Sequence, residues 1–287
     1  MNRETTHGRS LIAGINALFR QVETERDEGA ILKDNFAQYF AERGIVVSVL
    51  RVLRLFIPPL KRIVEGLQTV HNVRHCAIDG CILRAYNQGC RQFVLLGAGY
   101  DMRVFRFPEF CDDNSCLWVE LDNPATAQRK LQLLKNIPDL TTRTQVRRIQ
   151  TRFERAKLGN TLSYAGVDRE RAICFILEGL VHYQTARDFQ RICAEMLTGS
   201  AHREIILSFI TPAMERSAGQ WQRRLFTWLR EIPVLFLSPR QLKAHFEQYH
   251  CHFFEHWNYD AQVAEFAPQA RGRKAGVSQD VAHIARR

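Results

Sequence analysis

The run Phe93–Leu96 (FVLL) passes directly into Gly97-Ala98-Gly99, and this junction limits the folds open to the chain more than any other stretch. A short run that is apolar on both faces belongs to a strand covered by helices on both sides. Glycines at its end let the backbone turn sharply and let a ligand pack directly against it. Similar runs recur at LWVEL (117–121), QVRRIQ (145–150), ICFIL (173–177) and EIILSFI (204–210), and CHFFEHWNY (251–259) reads as a late strand. Strands alternating with helices predict an α/β fold, a doubly wound, mostly parallel sheet whose ligands bind at the carboxyl ends of the strands.

The helices between the strands carry start signals. Asn123-Pro124 offers a cap followed by proline at the first helical position, and Thr185 opens TARDFQRICAEML. Ser238-Pro239-Arg240-Gln241 combines a cap, a proline and a capping-box glutamine, which predicts a helix to about Tyr249. Residues 9 to 90 are periodic in the helical sense: Leu11, Ile15, Leu18, Phe19 and Val22 share one face, and Val49, Val52, Leu53 and Phe56 another. The expected organisation is an N-terminal helical cap over 1–90, part of the same unit as an α/β domain over 91–287.

Bulk properties exclude little. With 46% hydrophobic residues the chain can bury a core, and its formal charge of +10 reads either as a polyanion-binding surface or as a basic surface tuned for solubility. Eight cysteines without a C-x-x-C pair suggest reduced thiols and a cytoplasmic protein. The apolar stretch Ile45–Ile57 is interrupted by Arg51 and Arg54 and stops at Pro58, so no membrane span is expected. His245, His250, Cys251, His252 and His256 straddle a helix-to-strand junction, where their side chains diverge, and no metal site is read there.

The strand ends carry the candidate chemistry. A dinucleotide fingerprint would place its third glycine at 102, where Met102 stands, and Asp101 would repel a pyrophosphate. The turn therefore suits a nucleoside without phosphates, with Asp101 turned to a cationic group. Asp122, at the tip of the second strand, is either an acceptor for ribose hydroxyls or a cap for the helix at Pro124. Glu178 emerges from a wholly apolar strand and needs a cationic partner such as an ammonium or sulfonium, unless it is an exposed acid in a turn.

Taken together, GAGYDMR (97–103), VELDNP (119–124) and EGLVHY (178–183) resemble the leucine carboxyl methyltransferase family of S-adenosylmethionine-dependent O-methyltransferases. The resemblance covers about residues 70 to 185. It implies a class I methyltransferase-like fold with a helical lid insertion at 211–237, and S-adenosyl-L-methionine as cofactor. It further implies that Arg74, in VRHCAID, grips the methionine carboxylate, that Gly97, Ala98 and Gly99 pack on the methionine and ribose part, that Asp122 takes the ribose and that Glu178 lies near the ammonium. Two positions depart from the family pattern. Met102 replaces a threonine, and Thr151-Arg152 stand where an acid beside the adenine is expected, leaving Glu154 or a backbone group to read the adenine amine, or a weaker affinity.

Methyl transfer is an in-line displacement in which the protein aligns the reactants and excludes water. A carboxylate acceptor is ionised at neutral pH and needs no base, whereas a hydroxyl acceptor needs one, for which His182 is the first candidate beside a structural or pocket-lining role. Tyr183 either touches the acceptor or packs beneath the site. In the lid segment Trp221, Leu225, Phe226 and Trp228 suggest an apolar wall, and Arg216, Arg223, Arg224 and Arg230 suit an acidic acceptor or a solvated face. The expected acceptor is a small-molecule carboxylic acid or hydroxyl compound, as in secondary metabolism. The alternatives are a protein C-terminus, a modified RNA nucleoside, or a homologue that binds cofactor without catalysis.

Overall fold

The computed structural model describes residues 3–41, 58–152, 157–199, 201–217, 232–273, 275–276 and 278–286, of which 3–11, 58–60 and 217 are described in backbone alone. Seven strands form one sheet: β1 (Gln92–Leu96), β2 (Leu117–Asp122), β3 (Gln145–Gln150), β4 (Ile173–Leu177), β5 (Arg203–Phe209), β6 (Phe253–Trp257) and β7 (Asp280–Arg286). Their order is β3-β2-β1-β4-β5-β7-β6, parallel from β3 to β5, with β7 antiparallel to both β5 and β6. The chain is thus an α/β protein with a doubly wound, mostly parallel sheet. The wholly apolar runs became the strands β1 and β4, buried along their full length, whereas β3, with its alternating exposure, is the edge.

Eleven α-helices lie in the described residues: α1 (Arg3–Thr24), α2 (Ala37–Phe40), α3 (Pro58–Asn87), α4 (Arg103–Arg106), α5 (Pro108–Cys111), α6 (Pro124–Leu134), α7 (Leu158–Tyr164), α8 (Ala186–Met196), α9 (Pro212–Ser217), α10 (Pro239–Glu247) and α11 (Tyr259–Phe266). The cap signals operate as local chemistry dictates. Asn123 accepts from the N–H groups of Ala125 and Thr126, Thr185 accepts from Asp188 N–H, and Ser238 with Gln241 closes a full capping box. One face of the sheet packs on α3 through Ile78, Ile82, Phe93 and Trp118, the other on α8 and α10 through Val94, Phe175, Phe189 and Phe246.

Strand β7 was not anticipated, because it reads DVAHIAR and carries Asp280 and His283 inside the sheet. Both are buried, and both find their partners on neighbouring strands: His283 Nε2 lies 2.7 Å from Glu204 of β5, and Asp280 lies 2.6 Å from His256 Nε2 of β6. Polar residues of this kind enter a central strand only when tertiary partners satisfy them. The expected strand at 251–259 is the shorter β6.

A buried carboxylate ties the N-terminal helix to the rest. Glu23 accepts from Ile31 N–H at 2.9 Å and Gln68 of α3 at 3.0 Å, and pairs with Arg273 at 2.8 Å. Helix α1 is thereby fixed to α3 and to the stretch before β7. Within the expected lid, α9 and residues 232–237 are described, whereas Trp221, Arg223, Arg224, Leu225, Phe226, Trp228 and Arg230 lie outside the described residues, as does the expected helix bearing Val49 to Phe56. Among the described residues no helix is long and apolar enough to cross a membrane.

Candidate active site

The carboxyl ends of β1, β2, β3 and β4 open into a cavity whose opposite wall is formed by Ile12, Ala13 and Asn16 of α1 and His71 and Arg74 of α3. At its centre is the glycine turn. Gly97 and Gly99 have φ of +74° and +52°, the left-handed region that side chains disfavour, and a Cβ on Gly97 would come within 3.3 Å of Leu180 Cδ1. The N–H groups of Gly97 and Ala98 both donate to Leu121 O, at 2.8 and 3.1 Å, locking the turn to β2.

Asp122 holds the next position. One carboxylate oxygen accepts from Gly99 N–H at 2.5 Å and the other from Asn123 N–H at 2.6 Å. The cap of α6 is Asn123, so the alternative role as a helix cap does not fall to Asp122. Asn123 Nδ2 donates to this carboxylate as well, at 3.0 Å, and Asp122 lines the cavity.

Glu178 lies at the end of β4 beside two guanidinium groups and a histidine. Arg103 Nη2 is 2.6 Å from it, Arg74 Nε 3.2 Å and His75 Nδ1 3.1 Å. Burial by itself would raise the carboxyl's pKa, but Arg103, His75 and Arg74 outweigh it and hold it well below the ordinary range. It is not an exposed acid. Arg103 is the hub, buried to 1% exposure and paired with Asp79 at 2.5 Å, with Asp101 and with Glu178.

Asp101 lines the cavity with its carboxylate paired. Its carboxylate meets the Arg103 guanidinium and accepts from Arg103 N–H at 2.8 Å, which starts α4. The cationic group expected beside Asp101 is met within the chain by Arg103, two residues on, which also pairs with Glu178. Arg74 lies at the same end, with Nη2 3.0 Å from His71 Nδ1. A guanidinium only donates, so Nδ1 accepts and the neutral ring carries its proton on Nε2. Burial, reinforced by the charges of Arg74 and Arg20, keeps the His71 pKa well below its usual value.

Tyr183 lines the cavity, whereas His182 stands outside the lining and is 3% exposed. Burial, with the charge of Arg74, brings its pKa to about 3. Its carbonyl receives the N–H groups of Val234 and Leu235, at 2.7 and 3.2 Å, so the residue anchors the segment leaving the lid. At the end of β3, Thr151 and Arg152 face the cavity, and Thr151 N–H donates to Asp122 O at 2.8 Å. Glu154 lies outside the described residues.

Arg103, His71, Arg20 and Asn16 were missed as site residues. Arg103 stood in the quoted GAGYDMR run, and its signal was the Asp101 two residues before it. The other three come from helices whose facing is set only by tertiary packing; Arg20, for instance, is held by Asp34 at 2.8 Å and by Tyr100 O at 3.0 Å.

A sequence model of the leucine carboxyl methyltransferase family matches residues 13–197, more than half of the chain, including every strand end described above. The chain belongs to that family. As a leucine carboxyl methyltransferase family member it falls among S-adenosylmethionine-dependent methyltransferases. A protein of Mycobacteroides abscessus, provisionally named as such a methyltransferase, is 29% identical over 216 residues, 71% of this chain and 67% of its own length. A Streptomyces coelicolor protein of the same provisional name is 28% identical over 238 residues, 76% of either chain. A second Streptomyces coelicolor relative is matched over 57% of its length, at 29% identity. Among solved structures, a protein of a domain family of unknown function from Streptomyces avermitilis aligns with a TM-score of 0.55, 13% identity and coverage of 94% and 97%. A methyltransferase, provisionally so named, from Thermobifida fusca aligns at 0.51, 16% identity, with coverage of 85% and 89%. These likenesses show the shared fold.

Proposed function

We propose that this family member transfers a methyl group to the oxygen of a small-molecule carboxylic acid. The cavity's donor set fits S-adenosylmethionine: a guanidinium (Arg74) for the amino-acid carboxylate, an ionised carboxylate (Glu178) for the ammonium, Asp122 for the ribose hydroxyls, and a side-chain-free turn (Gly97, Ala98, Gly99) where the nucleoside packs. When bound, the cofactor supplies an electrophilic methyl on a sulfonium. The protein's share is to fix the nucleophile in line with it and to keep water out. Tyr183 and the α1 wall face the acceptor side.

The single observation that carries the carboxylate reading is the state of the histidines. His182 stands outside the cavity lining and, with a pKa near 3, is a neutral ring and a weak base, while His71 Nδ1 already accepts from Arg74 and His75 Nδ1 lies 2.8 Å from the donor Arg103 Nη2. A hydroxyl acceptor requires a base near its pKa range, and none of these three rings supplies one; a carboxylate needs none.

Two measurements test this. Arg74→Ala should weaken S-adenosylhomocysteine binding by about ten- to hundredfold in calorimetry while leaving 5′-methylthioadenosine, which lacks the amino acid, unchanged. Equal loss for both would refute the assignment of Arg74. Incubation of an acidic metabolite extract with methyl-labelled cofactor should yield label released as methanol by mild alkali, as from esters. Alkali-stable label would point to an ether and overturn the carboxylate reading.

A further inference from the structure

The two walls of the cavity differ in hydrogen-bonding character. The floor, at the strand ends, carries Asp122 and Glu178, acceptors suited to hydroxyls and an ammonium. The opposite wall carries Asn16 and Arg20, one turn apart on the same face of α1, which offer N–H groups. A second ligand lodged between the cofactor and α1 therefore meets donors, one of them cationic.

Arg20 is built into this wall. It is 5% exposed, and Nε donates to Asp34 at 2.8 Å and Nη2 to Tyr100 O at 3.0 Å. Among the described residues no partner engages Arg20 Nη1 or the side chain of Asn16, so both are left for the cavity that the two residues line. Asp34 balances the charge of Arg20, yet the Nη1 protons keep the strength of a charged donor. A guanidinium clamped in this way also gives up little freedom when a further partner arrives. Arg20 stands apart from the amino-acid end of the cofactor. An α-ammonium and an α-carboxylate share one carbon, so their partners adjoin, as Arg74 and Glu178 do at 3.2 Å. The anchors of Arg20 are different, Asp34 and the carbonyl of Tyr100, the residue after the glycine turn.

We propose that Asn16 and Arg20 form the subsite for the carboxylate of the methyl acceptor, and that α1 thereby selects an anionic acceptor over a neutral one of the same shape. A site built to hydrogen-bond one group rejects an analogue that leaves its buried donors unpaired. The inference rests on the cofactor and carboxylate readings given above; it adds the residues that hold the acceptor and the basis on which the acceptor is chosen. Held by donors alone, the acceptor keeps its charge and gives up no proton.

Calorimetry on the full chain saturated with S-adenosylhomocysteine tests it, with the straight-chain carboxylates from acetate to octanoate and their primary amides as probes. The wild type should bind at least one carboxylate about tenfold or more tighter than the matching amide. Arg20→Lys, whose single ammonium stays with Asp34, and Asn16→Ala, which removes a side chain with no partner among the described residues, should each cut that preference by about three- to tenfold. Affinity for S-adenosylhomocysteine should stay within about twofold of wild type in both, which also shows that they are folded. A preference unmoved in both variants overturns the assignment of Asn16 and Arg20 alone, whereas the absence of any preference in the wild type overturns the carboxylate reading with it. If Arg20→Lys weakens S-adenosylhomocysteine but not 5′-methylthioadenosine, Arg20 holds the methionine carboxylate and the proposal falls. Failure of the wild type to bind S-adenosylhomocysteine overturns the cofactor reading beneath it, an outcome distinct from the other three.

Discussion

Replacing Arg103 by methionine would leave Asp79, Asp101 and Glu178 buried around a lost cation, with Arg106, Arg74 and His75 as partial compensation. Removing one partner of a buried ion pair costs about 3–5 kcal/mol, because the remaining charge stays desolvated. For 287 residues at about 2.1 cal/mol/K each, the unfolding entropy is roughly 0.6 kcal/mol/K, which converts that loss into a fall in Tm of about 5–8 °C. The pH dependence gives a second handle. In the wild type, burial opposes but cations prevail, so the pKa values of Glu178 and Asp79 are lowered from 4.5 and 3.8. Their stabilisation is present above the unfolded values and is lost as pH falls through the folded ones. Without Arg103, burial dominates and the carboxyls take up protons at higher pH, which relieves the variant but not the wild type. Differential scanning calorimetry of both proteins should therefore show a deficit that is largest near about pH 7.5 and smaller near about pH 5. A deficit below about 1 kcal/mol, or one that grows on acidification, would refute the claim that Arg103 neutralises this cluster.

Two further outcomes follow from the site. Asp122→Asn should weaken S-adenosylhomocysteine and 5′-methylthioadenosine alike, by about tenfold in calorimetry, since both carry the ribose; an unchanged affinity would remove Asp122 from the nucleoside site. His182→Gln should leave the shape of the pH–rate profile unmoved, because a ring with a pKa near 3 is neutral throughout the neutral range. The disappearance of a limb of that profile would make His182 the base after all.

The parts of the fold that sequence made legible are those specified by short-range chemistry. Apolar runs placed β1, β2, β4 and β5, and the caps at Asn123, Thr185 and Ser238 placed three helix starts, since each signal is complete within a few residues. Strand β7 escaped because Asp280 and His283 make sense only beside His256 and Glu204, 24 and 79 positions away. In the site, Gly97, Gly99, Asp122 and Glu178 could be read from strand ends, where topology dictates position. The pairing of Asp101 with Arg103 was not legible, because Arg103 lies on the turn of a short helix that no periodicity announces. His71 and Arg20 were invisible for another reason: which face of a long helix meets the cavity is settled by what it packs against.

The clasp between Glu23 and Arg273 has a consequence for how the protein is made. The strand ends that carry the glycine turn, Asp122 and Glu178 are all complete once residue 178 has been synthesised. Helix α1, which walls the opposite side of the cavity, was made first, and its buried carboxylate meets Ile31 and Gln68 early but its Arg273 partner only 95 residues after Glu178. At about 5–20 residues per second, this interval lasts roughly 5 to 20 s. The full set of partners of Glu23 is therefore completed late, by a residue outside the cavity lining.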